Sequence, residues 1–253
     1  VQAIILKKHQ FAETNEVVTL FSREVGKLRA VAKASKSVKS KLAFGLQQLF
    51  KVEIDLAAGK NMQTITGVKV LQAYAGIRES SGKIAAALSA CEFVMKATAD
   101  EHPNSELFDL LNNYLDYLSE RPAQTETTAQ TQTTNKSLWK FIFLALGTLG
   151  FAAQMQYCVI CHSPIPQGNS HFSFRLGGLI CDNCVSRVAA DAVNIPAAAR
   201  DFFAAVLPAS PTLNNNIFAA ADSHPVPENQ VRAIAENYST HILERELKAP
   251  RFL

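Results

Sequence analysis

Apolar and polar positions alternate with a period of two through roughly the first seventy residues, then switch to a helical period. Residues 1–7 form an apolar run with a basic end, and 16–21 are rich in Val, Thr and Phe. Within 26–34, Leu28, Ala30, Ala32 and Ala34 share one face, and Lys27, Arg29, Val31 and Lys33 share the other. Within 50–56, Phe50, Val52, Ile54 and Leu56 oppose Lys51, Glu53 and Asp55. A fifth run, 62–71, follows the turn residues Gly59-Lys60-Asn61. Five short strands in this length, with an insert near 40–48, predict a small closed barrel. The five-stranded oligonucleotide-binding (OB) barrel is the common solution at this size.

From Ser80 the pattern is helical. Ser80-Ser81-Gly82-Lys83 opens a helix through Ala85, Leu88, Cys91, Val94 and Met95. A second helix starts at Pro103-Asn104-Ser105-Glu106, carries Leu107, Leu110, Leu111, Tyr114 and Leu118 on one side, and ends at Pro122. Residues 123–135 are Thr/Gln-rich and lack a basic residue, which predicts a solvated link. Residues 136–154 predict an apolar central helix. Their uncharged part, 141–156, is shorter than the ~20 apolar residues of a membrane span. Amphipathic helices are predicted over 195–207, with Pro196 early in it, and within 225–248. The expectation is an α+β multidomain chain: an OB barrel over 1–79, then an all-helical domain over 80–253.

Four cysteines interrupt those helices. Cys158-Val-Ile-Cys161 and Cys181-Asp-Asn-Cys184 stand nineteen residues apart. Each Cys-x-x-Cys turn presents two thiolates, and Pro164, Pro166, Gly168, Gly177 and Gly178 let the intervening loop bring the pairs together. We read one structural Zn²⁺ in a module over about 157–188, with no open position for water or substrate. Cys158 to His162 also fits a haem-attachment pattern, but that would leave Cys181 and Cys184 unexplained. Two disulfides would require an oxidising compartment, and an iron–sulfur cluster is chemically compatible with four thiolates. His162 and His171 read as surface residues, and Cys91 as a small core residue. The N-terminal residues do not resemble a signal peptide, and the cysteine usage fits a reducing cytoplasm.

The net charge of +3 is unevenly spread. Residues 1–85 hold 14 Lys and Arg against 6 Asp and Glu, whereas 86–253 hold 11 against 16. A basic domain joined to an acidic one suggests a polyanion partner for the first. The basic signal concentrates in Arg23, Lys27, Arg29, Lys33, Lys36, Lys39 and Lys41, with Lys51 beyond and Glu24 the only acid within the run. Lysines every two or three residues among serines suit a phosphate backbone, gripped without reading base edges. Phe11, Phe21, Phe44, Phe50 and Tyr74 are candidates for stacking on bases, most of them expected in the barrel core. Phe44, among the lysines, is favoured for a base contact. No Gly-rich phosphate loop, Gly-x-Ser-x-Gly elbow or His-Glu-x-x-His is present. Gly147-Thr-Leu-Gly150 lacks the lysine of a P-loop, and His224 and His241 are isolated. The reading is non-enzymatic.

The order of a basic barrel, helices and a two-knuckle cysteine module resembles the bacterial RecO family of recombination mediators. Residues 16–27 are similar to that family's second-strand segment, with its Ser/Thr-Arg-Glu turn and Gly. Residues 28–42 are similar to the following strand and basic loop, and 241–248 to the closing helix. The resemblance implies binding of single- and double-stranded DNA, annealing of complementary strands and loading of recombinase onto gaps. It also implies partnership with RecR and with the C-terminal tail of single-strand-binding protein, at a nucleoid-associated cytoplasmic location. Zinc is then a stability device, since not every family member keeps the cysteines. An RNA-binding or ribosome-associated zinc-containing OB protein is the alternative, with a zinc enzyme of nucleic-acid metabolism and a base-reading transcription factor behind it.

Overall fold

The computed structural model describes residues 1–11, 13–33, 35, 42–59, 62–121, 128–165, 168, 170–188, 192–206, 217–218 and 228–243. The chain divides into two compact units, Val1–Ala123 and Gln124–Leu253. The change of period at 79/80 separates strands from helices. The division by contacts comes later because the first two long helices pack on the barrel.

Five strands build the first unit: β1 (Gln2–Gln10), β2 (Glu16–Ser22), β3 (Gly26–Ala32), β4 (Lys51–Ala57) and β5 (Gln63–Gln72). They close in the order β1-β2-β3-β5-β4, with β3 and β5 parallel and the other pairs antiparallel. A one-turn helix, α1 (Leu42–Gly45), lies between β3 and β4. This is an OB-fold, as the alternation predicts. Inward positions such as Ile5, Val18, Leu20, Leu28, Ala30, Val52, Ile54 and Ile65 form its core.

β2 is buried on both faces. The outward pair Ile4 and Phe21 faces α2 (Ser81–Ala97) and α3 (Ser105–Glu120), and the Phe21 and Phe108 rings lie 6.2 Å apart. The helices are anchored by close backbone approach. Gly26 has φ +82°, and a Cβ there would lie 2.2 Å from the His102 carbonyl oxygen. The turn before it is set by Ser22, whose hydroxyl accepts from Glu24 N–H and Val25 N–H at 3.1 Å each and donates to the Glu24 carboxylate. At α3, the Asn104 side chain accepts from Leu107 N–H at 2.9 Å and caps the helix.

Two lysines close helix ends. Lys27 Nζ donates to the carbonyls of Met95 (2.8 Å) and Thr98 (2.5 Å) at the end of α2, and lies 3.3 Å from Asp100. Buried Lys83 donates to the carbonyls of Arg121 (2.6 Å) and Gly76 (3.0 Å). Both satisfy carbonyls that a helix or turn leaves open.

In the second unit, α4 (Thr128–Thr148) begins inside the segment that composition assigned to a solvated link. Once apolar turns further along nucleate a helix, each added residue gains a hydrogen bond without a new nucleation cost. It ends before Gly150, whose φ is +89°. Three short strands follow, β6 (Ser170–Ser173), β7 (Gly178–Ile180) and β8 (Ala192–Ile195), in the order β7-β6-β8. The sequence pattern did not predict this sheet, because three- and four-residue strands carry no legible period. The one-turn α5 (Asp182–Val185) lies within it, and α6 (Ala197–Val206) and α7 (Glu228–Leu243) complete the unit. Residues 244–248 of the predicted last helix lie outside the described residues. Phe143 packs against Phe203 (4.3 Å) and Tyr238 (5.7 Å), and Phe172 of β6 meets Tyr238 edge-on at 5.5 Å. No helix among the described residues is long and apolar enough to cross a membrane.

Candidate nucleic-acid interface and metal centre

The register of β1, β2 and β3 brings Lys7, Thr19 and Arg29 into one row across the outer face of the barrel. His9, Val17 and Val31 form the next row. Lys7, His9, Thr19, Lys27 and Arg29 line a groove of about 520 Å³, closed on one side by Met95 and Asp100. Lys33 follows β3 and is exposed. Lys7 and His9 were missed in the sequence. Their signal was there, as alternate residues at the basic end of the first apolar run, but only the register sets them beside Arg29.

The cations singled out from sequence differ in how free they are. Lys27 is committed to the end of α2. Arg29 is exposed and lies 3.3 Å from Asp100, and exposed Arg23 lies 2.9 Å from Asp109. Such surface pairs are worth about 0–1 kcal/mol, so a phosphate can displace them. Lys36, Lys39 and Lys41 lie outside the described residues. Among the aromatics, Phe21, Phe50 and Tyr74 are buried, while Phe44 is 80 % and Phe11 66 % exposed. Phe44 on α1 is thus open to a base, and Phe11 joins it. At one end of the barrel, Ser35 donates to buried Glu16 at 2.9 Å, and Lys8 lies 3.5 Å from the same carboxylate.

The four module cysteines converge. Their sulfurs lie within 4.8 Å of one another, and Cys161 and Cys181 sulfurs are 3.6 Å apart. A disulfide would require about 2.05 Å, so these are thiols. Four sulfurs about 2.3 Å from a tetrahedral Zn²⁺ stand about 3.8 Å apart, which this arrangement fits. Local backbone makes it so. His162 N–H donates to Cys158 O (2.9 Å) in a tight turn with His162 at φ +59°. Cys181 sits at the start of α5, accepting from Cys184 N–H and Val185 N–H at 2.9 and 3.1 Å. Val159 N–H donates to Leu179 O at 2.9 Å, locking the first turn to β7.

The thiols have diverging acidities. Burial pushes Cys158 up, but backbone N–H groups of Cys181, Cys161 and Ile160 outweigh it and hold this thiol below its usual range. The Ser163 side chain and backbone bring Cys161 down to about 6. Burial pushes Cys181 up, and Cys184 up to about 12. Four thiolates this close repel one another, and a divalent cation removes that conflict. The four cysteines can hold a metal ion. His162 and His171 are outside the cluster; His171 is half-buried, with Nδ1 3.5 Å from Asp182.

An OB barrel with a cationic outer face, followed by helices carrying a four-thiol module, defines a class of two-unit barrel proteins. Residues 1–74 match the family model described as Recombination protein O N terminal, and 78–251 match Recombination protein O C terminal. The chain belongs to the RecO family, and its role lies in DNA repair. It is 31 % identical to DNA repair protein RecO of Dehalococcoides mccartyi (strain CBDB1) over 183 residues, covering 72 % of this chain and 68 % of that one. It is 28 % identical to DNA repair protein RecO of Anaeromyxobacter sp. (strain K), covering 99 % and 93 %. For the Bacillus pumilus (strain SAFR-032) protein of the same name the values are 26 %, 100 % and 92 %.

Proposed function

We propose that this protein is a non-enzymatic mediator of recombinational repair that binds single- and double-stranded DNA, anneals complementary strands and helps load recombinase onto gaps. The observation that carries the reading is the Lys7–Thr19–Arg29 row on an OB barrel, next to exposed Lys33, where the basic run begins. Phosphates of a strand lie along the row, and the lysines at 33, 36, 39 and 41 neutralise a second strand. Base pairing itself then drives annealing. Arg23 and Arg29 contribute by exchanging their carboxylate partners for phosphate. RecR and the acidic tail of single-strand-binding protein are the protein partners in this reading, in the cytoplasm at the nucleoid. Cys158, Cys161, Cys181 and Cys184 hold one Zn²⁺, which would supply cross-linking and no chemistry at a substrate.

Annealing of complementary strands against salt tests the proposal. Each phosphate contact on a single strand contributes about 0.7 to the slope of log affinity against log salt. Annealing should be fast at low salt and fall steeply with salt. It should be largely lost when Lys33, Lys36, Lys39 and Lys41 become Glu, and weakened by Lys7→Ala with Arg29→Ala. Equal annealing by native protein and both variants would overturn the reading, and tighter binding to RNA of the same sequence would redirect it to RNA.

A further inference from the structure

The barrel has a seam. β4 and β5 pair along their length, but β3 meets β5 only at Ala30–Gln63 and Val31–Thr64. Nearer Gly26, the segment after α2 lies along β3 instead. Lys27 bridges to Asp100, and Glu101 N–H donates to Lys27 O at 2.8 Å. Between that segment and Ala58, Gly59 and Met62, the described residues leave a groove of about 460 Å³, within the range of small-ligand sites. Leu28, Leu56 and Met62 line it, with Arg29 and the carboxylates of Asp100 and Glu101 at its edge. Leu28 belongs to the barrel core and partly buried Leu56 packs against it, so the groove opens beside the core's apolar edge.

Arg29 borders both this groove and the cationic one. Asp100, paired with Lys27 and Arg29, borders both grooves, whereas exposed Glu101 borders the seam alone and sets its charge apart from that of the row that attracts phosphate. Apolar contacts next to a phosphate-attracting row match a nucleotide, base on one side and phosphate on the other. A base still paired in a duplex cannot enter. We propose that the seam is a subsite for one unpaired nucleobase, whose phosphate rests on the Lys7–Thr19–Arg29 row. This inference rests on the DNA-binding reading and adds to it a preference for bases over bare backbone.

The test compares binding of a 20-mer of deoxythymidylate with an abasic deoxyribose-phosphate 20-mer of equal charge, by anisotropy at fixed salt. The native protein should favour the base-bearing strand roughly fivefold or more, in line with contacts to one base. Met62→Gln, polar but uncharged, should remove most of that preference and leave affinity for the abasic strand within about twofold, since phosphate contacts survive. Met62→Ala, the milder change, should reduce the preference in part. Exposed Phe11 and Phe44 could also favour bases, and the Met62 variants separate their effect from the seam's. A preference unchanged in both variants overturns the subsite. Equal native binding to both strands overturns it too and leaves the DNA reading standing, whereas no binding to either strand brings down both.

Discussion

The two units achieve order in opposite ways. The barrel closes its strand order, fills its interior with alternating aliphatic residues, and uses Lys27 to finish a neighbouring helix. The cysteine module has strands of three and four residues, and its apolar cluster is centred on Cys158, Ile180 and Cys184. A sheet that small cannot bury enough surface to order itself. It depends on four sulfurs being pulled to one point and on Phe172 reaching Tyr238. Order written as periodicity is intrinsic to the chain, whereas four thiols clustered at one point are an arrangement that a metal ion can complete.

The largest expected effect breaks that contrast at the metal. Cys181→Ser, or chelation, should remove zinc and destabilise the second unit by about 4 kcal/mol or more. Trp139, the single tryptophan, is buried in that unit, so its fluorescence reports the loss. DNA binding by the barrel should persist under the same conditions. Native protein that is zinc-free with four titratable thiols would contradict the assignment.

Next comes the converse change, confined to the first unit. Gly26→Ala puts a Cβ against the His102 carbonyl at a positive φ. A cost of about 3 kcal/mol is expected in denaturant unfolding followed by circular dichroism, with the Trp139 transition unmoved. Lys83→Met leaves the carbonyls of Gly76 and Arg121 without their donor and should cost about 2 kcal/mol.

The smallest effect is one of pH. Burial raises the Asp116 carboxyl above its usual value of 3.8, with Lys51 opposing and Glu120 adding to the rise. The folded state therefore holds this proton more tightly than the unfolded one. Its contribution is full below 3.8 and is lost as pH rises through the folded value. Asp116→Asn should flatten that decline, read as urea midpoints measured upward from pH 4.

Much of the barrel was legible because its side chains obey one rule. Phe50, Val52 and Ile54 point inward wherever β4 is paired, so period alone finds them. The cysteine cluster was legible for another reason: a tetrahedron of sulfur needs those residue types at close spacing. Lys27 was misleading for the opposite reason. Its charge is as visible as that of Arg29, but whether a lysine faces solvent or a helix end depends on what the chain packs there seventy residues later. Lys7 and His9 join the cationic groove only through cross-strand register, which no single strand encodes. β8 and the first turns of α4 escaped because short strands and polar helical turns draw their stability from neighbours.

The hydrogen bond from Ser35 to buried Glu16 has a mechanical consequence. It ties the chain down just past Lys33, and α1 takes it up again at Leu42, leaving six residues between two fixed points. Two fixed ends so few residues apart bound the reach of whatever lies between them. In the DNA-binding reading proposed above, lysines on such a tether would meet a bound strand at an effective concentration in the millimolar range. Ser35→Ala would lengthen the tether without touching a single positive charge.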